Sequence, residues 1–195
     1  ALGAGAQVLE APRGRASQQN AGARCATGDF LLFLHADTWL ADDTALQLAQ
    51  TMEDSNISAG AFCQRIDASG WIYRWIEAGN AARVRWRGMA YGDQGIFVHR
   101  NLFESVGGFP DVPLMEDLLL MRRLRSHRPL RLLPGPLHVS PRRWKQNGVV
   151  RQTLRNWSLL AAERCGVSLD RLAGWYQPFE LRTSSVEGPT SLVQR

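Results

Sequence analysis

Cysteine is scarce in this chain of 195 residues, and the three present, Cys25, Cys63 and Cys165, form no C-x-x-C pair. Neither a disulfide framework nor a zinc site is indicated, and reduced thiols in a cytoplasmic protein are the simplest account. No apolar run approaches the ~20 residues needed to cross a bilayer. The N-terminal ALGAGAQVLEAPRGR lacks the charged-then-apolar pattern of a secretory signal. It also lacks an initiator methionine and reads as the end of a helix followed by a short strand at 7–10, as though the chain began in mid-domain. Repeats and interdomain linkers are missing too, so residues 1–181 are expected to form one domain, and the polar stretch 182–195 reads as a disordered tail.

What is present fits one folded domain. Hydrophobic residues make up 45% and charged residues 21%, enough for one substantial core. The net charge of +5 is mostly arginine, much of it in two clusters, Arg122-Arg123-Leu124-Arg125 to Arg131 and Arg142-Arg143-Trp144-Lys145. A solvated helix face accounts for most of the first. Pro141 and Trp144 bracket the second and make it a shaped loop suited to phosphate or another anion.

The segment GDFLLFLHAD, residues 28–37, carries the most information. Five apolar residues, Phe30 to Leu34, predict a strand covered on both faces, as in a parallel α/β sheet. Ligands of open α/β sheets sit beyond the carboxyl ends of strands, where Asp37 falls. Asp37 reads equally as a metal or phosphate-site carboxylate and as the cap of a helix beginning near Ala41.

Along the rest of the chain, composition predicts helices over 16–27, 42–54, 71–86, 149–165 and 169–176. A helix also starts at Asn101, and another runs from Met115 to Ser126, acidic at its start and basic at its end. Strands are expected at 30–34, 59–66, 96–98 and 130–133, the last ending at Pro134-Gly135-Pro136. Gly92-Asp93-Gln94-Gly95 is a turn. Arg83, Arg85 and Arg87 read as a solvated edge or as groups reaching a charged acceptor or a diphosphate. The 149–165 helix packs on the domain or rests on a membrane surface.

Three carboxylate-bearing turns stand out: Asp37, Asp93, and Glu116-Asp117, followed by the Arg-Arg-Trp loop. Transfer of a sugar from a nucleotide diphosphate uses such parts together. Asp37 would hold Mg²⁺ or Mn²⁺ against the diphosphate, since hard cations take oxygen ligands. Asp117 would take the proton of the attacking hydroxyl, and Arg142 or Arg143 would meet the leaving diphosphate.

From Arg13 to about Tyr176 the sequence resembles glycosyltransferase family 2, inverting enzymes of the GT-A fold. RASQQNAGARCATGDFLLFLHADT is similar to the family's helix, Gly-Asp turn, buried strand and D-x-D-type motif. GDQGIFVHRNLFESVGGFPDVPLMEDLLLMRRL is similar to its acceptor-side block. The wording GDQGIFV, PLMED and SPRRW is similar to bacterial radical-SAM/selenodomain-associated, or arsenosugar-biosynthesis, glycosyltransferases. The resemblance implies an α/β fold with a mixed, mostly parallel sheet, flanking helices and C-terminal helices. It implies Asp37 as the metal ligand, with His35 at the other D-x-D position, and Asp117 as base with Glu116 beside it. Arg143, Arg142 and Arg15 would bind the donor diphosphate; Asp93, Gln94 and Trp144 would line the acceptor site. A divalent metal, a nucleotide-sugar donor and a small-molecule or lipid-linked acceptor follow, in the cytoplasm or at the inner face of the membrane.

The sequence departs from the family pattern at three places. His35 replaces the first D-x-D carboxylate and is a structural residue of the strand end, an outer-shell partner or a ligand. Ser140 replaces the Gln of Q-x-x-R-W, against processive synthesis. The family's first strand-loop-strand unit, which holds the nucleotide base, is missing, and a truncated sequence is expected rather than a minimal enzyme. A non-catalytic subunit of the same fold is the chief rival. A nucleic-acid-binding module is a remote one, for the arginine clusters lack interleaved aromatics.

Overall fold

The structure, a computed structural model, describes residues 5–175; the expected tail at 182–195 lies outside the described residues. Helix α1 (Arg15–Cys25) feeds strand β1 (Phe30–Phe33), a turn, and strand β2 (Thr38–Leu40). Helix α2 (Thr44–Met52), strand β3 (Ala59–Ile66) and helix α3 (Trp71–Arg87) follow. A 3-10 turn, Gly92–Gln94, enters strand β4 (Ile96–His99), which runs straight into helix α4 (Arg100–Ser105). Helix α5 (Glu116–Arg125), strand β5 (Arg131–Val139) and helices α6 (Arg142–Asn147), α7 (Val149–Arg164) and α8 (Leu169–Trp175) complete it.

The five strands form one sheet in the order β1-β4-β3-β5-β2. Their side chains alternate between two apolar layers, as the period of two requires. Leu31, Ile96, Val98, Ala59 and Ala61 meet Ala16 and Ala23 of α1, Phe103 of α4 and Leu120, Met121 and Leu124 of α5. Phe62, Phe97, Leu133 and Leu137 form the opposite layer with Leu48 of α2. Each fully buried Leu or Phe contributes on the order of 2–3 kcal/mol by removal of apolar surface from water. A third, smaller cluster of Leu114, Leu159 and Leu172 seats α7 and α8 beside the start of α5.

The α/β class and flanking helices are as expected, and the sheet is mixed but not mostly parallel. Only β3 and β5 pair in parallel; β1–β4, β3–β4 and β2–β5 are antiparallel. Strands β1, β3 and β5 do run the same way, but β4 is inserted between β1 and β3. An unbroken apolar run reports burial of both faces and is blind to the direction of the neighbour, which is why Phe30–Phe33 misleads.

Three other expectations are corrected. Residues 7–10 form no strand; they are exposed and irregular. Strand β5 does not stop at Pro134-Gly135-Pro136. The three residues bulge opposite Cys63, pairing resumes at Leu137, and Gln47 of α2 bonds both the Gly135 N–H (2.9 Å) and its carbonyl (2.7 Å). That side chain replaces the ladder partners that a proline-flanked bulge forfeits. Residues 142–147 are a short helix rather than a loop.

Candidate functional site

The cleft lies where α1, the β1–β2 turn, the 3-10 turn, the start of α5 and the start of α6 converge. Its volume is 140 Å³, and Arg15, His35, Asp93, Asp117 and Arg143 all stand on its wall. Four of these come from distinct motifs of the sequence, and Arg15 opens α1.

Asp117 is fixed by backbone. Its Oδ2 accepts the Gly92 N–H at 2.7 Å and its Oδ1 accepts the Leu118 N–H at 2.7 Å. The first turn of α5 adds the positive end of the helix dipole. Met115, just before it, holds the left-handed conformation (φ 64°, ψ 28°), uncommon for a residue with a Cβ and worth roughly 1–2 kcal/mol of strain. Packing of Met115 against two apolar clusters maintains that kink.

Glu116, the neighbouring carboxylate, points elsewhere. Its side chain is 2% exposed, is not on the cleft wall, and lies 2.9 Å from Arg15 Nε in an ion pair whose N–H is not well aimed. Burial first, and Asp117 second, raise its pKa, while Arg15 lowers it. The geometry makes Glu116 the anchor of Arg15, and Arg15 the group that faces the cleft. From Glu116 the guanidinium reaches Nη2 to 4.0 Å from Asp117 and 2.8 Å from His35 Nε2.

A guanidinium only donates, so His35 Nε2 accepts. Burial and then Arg15 lower the His35 pKa, outweighing Asp93, Asp117 and Asp37, and keep the ring neutral. Gly92 lies against that ring. A Cβ there would collide with His35 Nε2 and stand 3.2 Å from Arg15 Nη2, so only glycine fits between the turn and the Arg15–His35 pair.

A buried polar girder supports the turn from beneath. Arg83 on α3 donates to Gln94 Oε1 (2.7 Å), Asn80 Oδ1 (2.8 Å) and the Met89 carbonyl (2.9 Å), and its guanidinium lies 3.6 Å over the Tyr91 ring. Asn80 donates to Gln64 Oε1, and Gln64 donates to Asp93 Oδ2 at 3.0 Å. Arg83 is therefore neither a solvated edge nor an acceptor contact but a structural cation. Gln94 is fully buried and off the cleft wall, holding the turn rather than lining a pocket. Asp93 lines the cleft and keeps one buried oxygen, Oδ1, without a hydrogen bond.

The rim is looser. Asp37 sits in the β1–β2 turn rather than at a helix cap; Asp43 precedes α2. The Asp37 carbonyl accepts the Ser140 N–H at 3.0 Å, which brings the start of α6 alongside. Arg143 Nε then lies 3.9 Å from Asp37 Oδ2, with the side chains 53% and 31% exposed. Arg142 is exposed and Trp144 half-buried, and neither lines the cleft. Among the described residues no group of three His, Cys, Asp or Glu side chains could hold a metal ion.

Sequence reasoning missed Tyr91, Asn80 and Gln64, which position the turn. The signal for Arg83 was its place one helical turn from Asn80; nothing local marked Gln64, whose role depends on β3 lying next to the turn.

Comparison with known proteins sets this geometry in context. Residues 5–108 match the family model described as Glycosyl transferase family 2. No curated protein matches the chain. Among solved structures, the chain is similar to "Mannosyltransferase PcManGT from Pyrobaculum calidifontis in complex with GDP-Man and Mn2+", with 22% identity and a TM-score of 0.49 over 66% of this chain. The match spans 36% of that mannosyltransferase, about a third of its length.

Proposed function

Because the chain belongs to glycosyl transferase family 2, we propose that this cleft transfers a sugar from a nucleotide-diphosphate donor to a hydroxyl acceptor with inversion at the anomeric carbon. The observation that carries the reading is Asp117: a carboxylate on the cleft wall, fixed by two backbone N–H groups and flanked by Arg15. An acceptor hydroxyl beside it attacks the anomeric carbon and gives its proton to Asp117. The bond from that carbon to the diphosphate oxygen breaks, and the nucleotide diphosphate departs with the electron pair. One base and no enzymic nucleophile suffice for this single displacement, and such a base contributes about 10²–10⁴-fold.

Arg143 on the rim and Arg15 deeper in are the cations placed to meet the charge that grows on the leaving diphosphate. Asp37 fits a divalent metal in the way Mg²⁺ is commonly held, by one carboxylate together with substrate phosphates. It is partly exposed, and its ionic contact to Arg143 is long at 3.9 Å. His35 fits less well, because its Nε2 lone pair is taken by a guanidinium. A bound Mg²⁺ or Mn²⁺ would supply charge neutralisation at the departing diphosphate. Asp93, which lines the same cleft, is the group we assign to orient the acceptor.

The test is release of nucleotide diphosphate from UDP-, GDP-, CDP- and dTDP-sugars with Mn²⁺ present. Release from one donor, lost in Asp117→Asn, supports the reading. Thermal stabilisation by a nucleotide with no release, unchanged by that substitution, would make the chain a non-catalytic binding subunit.

A further inference from the structure

A second, larger groove opens beside the cleft, between α3, α5 and α7, with a volume of 640 Å³. The two adjoin: Tyr91, Leu118 and Leu160 belong to the walls of both. Its floor is apolar and shallow in side chain, with Gly79, Ala82 and Ala161 leaving the space and Ile76 and Met89 closing it. Trp86 and Trp157 flank it and remain 82% and 65% exposed. A volume of this order suits a small molecule.

Charge gives the groove a direction. Five arginines and one glutamate line it. Arg122 is neutralised by Glu163 through two hydrogen bonds of 2.5 and 2.7 Å, and Arg83 is tied into the girder. Arg87, Arg125 and Arg164 remain, and none has a carboxylate ion-pair partner among the described residues. Arg87 and Arg125 lie at the ends of α3 and α5, where Arg125 Nη1 donates to the Arg87 carbonyl. Asp117 lies at the opposite end of α5. Eight residues separate it from Arg125, about 12 Å at the helical rise.

We propose that this groove binds the acceptor, and that the acceptor is an apolar molecule carrying a hydroxyl at one end and an anionic group at the other, about 12 Å away along α5. This rests on the glycosyl-transfer reading. The hydroxyl enters the cleft past Tyr91 and Leu118, where its oxygen bonds to the anomeric carbon, its proton passes to Asp117 and the nucleotide diphosphate leaves. The body lies between Trp86 and Trp157, and the anion meets Arg87 and Arg125.

The probe is ω-hydroxydecanoate, titrated calorimetrically into this chain without any donor. Binding is expected to be about tenfold tighter than for decanediol or for acetate, and to weaken in Arg87→Gln and in Trp157→Ala. Both residues are exposed, so circular dichroism should show unchanged folds. Equal binding of the neutral diol, or binding indifferent to both substitutions, overturns the proposal. So does a dimer in solution that Trp157→Glu separates, which would make the groove an interface between copies. A parallel thermal-shift series with nucleotide diphosphates keeps the failures apart. Acid binding lost with nucleotide stabilisation intact sinks this inference alone; the converse sinks the donor-site reading alone.

Discussion

The floor of the cleft and its rim are built on opposite plans. On the floor, Asp117 accepts the Gly92 and Leu118 N–H groups at 2.7 Å, and Arg15 is held between Glu116 at 2.9 Å and His35 at 2.8 Å, with a 4.0 Å approach to Asp117. On the rim, Asp37 and Arg143 meet at 3.9 Å, partly in water. A base must be in place before the substrate arrives, because reorganisation during reaction costs rate. Groups that receive a diphosphate must give up one another, so a loose pair suits them better than a tight one.

If that contrast is right, damage to the floor should be severe and damage to the rim selective. The largest effect is expected from Asp117→Asn, about 10²–10⁴-fold in turnover. Its nucleotide affinity should change far less, as a comparison of kcat with nucleotide-induced Tm shifts would show. Retained turnover would remove Asp117 from the chemistry. Next comes the girder. Arg83→Met strips a donor from Asn80, Gln94 and the Met89 carbonyl at once, and about 2–3 kcal/mol of stability should disappear from denaturant unfolding. A variant as stable as the parent would show that the turn stands without its support.

Much of the frame is legible in the amino-acid sequence itself. Strand β3 falls on residues 59–66 as the alternation AGAFCQRI indicates, and α3 and α7 begin where their sequence patterns begin. These elements are long enough for periodicity to dominate. Asp117 and Arg143 are also legible, since a helix start and a bracketed arginine pair are local signals; their meeting on one cleft wall is not. Strand β2 escapes notice because three residues, Thr38–Leu40, cannot display a period. Strand β5 reads as too short because its proline-flanked bulge is held by side chains far off in sequence, Gln47 on Gly135, 88 residues away, and Thr44 on the Pro136 carbonyl. The division of labour between Glu116 and Asp117 is equally hidden. Adjacent carboxylates look alike in sequence, and only the position of Arg15, about a hundred residues earlier, tells the anchor from the base.

The rim gives a smaller and different signature. In Arg143→Ala, nucleotide diphosphate affinity is expected to fall about tenfold. The Tm should barely move, because exposed ion pairs contribute about 0–1 kcal/mol. Isothermal titration with the nucleotide identified by the donor screen measures the first quantity and calorimetry the second. A large loss of Tm would mean that Asp37–Arg143 is structural, and the contrast between floor and rim would collapse.

The smallest effect isolates His35. Its pKa is lowered from the ordinary 6.5, so the folded state resists taking a proton that the unfolded state accepts. The unfolded chain then binds more protons below pH 6.5, and stability falls as pH drops from there towards the folded pKa. Glu116, raised from 4.5, has the opposite sign: the folded state binds its proton more readily, and stability falls as pH climbs from 4.5 to its folded value. Just below pH 6.5 the histidine's slope is therefore opposed only where Glu116 still titrates. His35→Gln retains an oxygen that can accept from Arg15 but cannot be protonated. Its Tm should vary less than the parent's as pH is lowered from 6.5. Identical slopes for the two proteins would place the titration elsewhere and leave the neutral His35–Arg15 contact without thermodynamic weight.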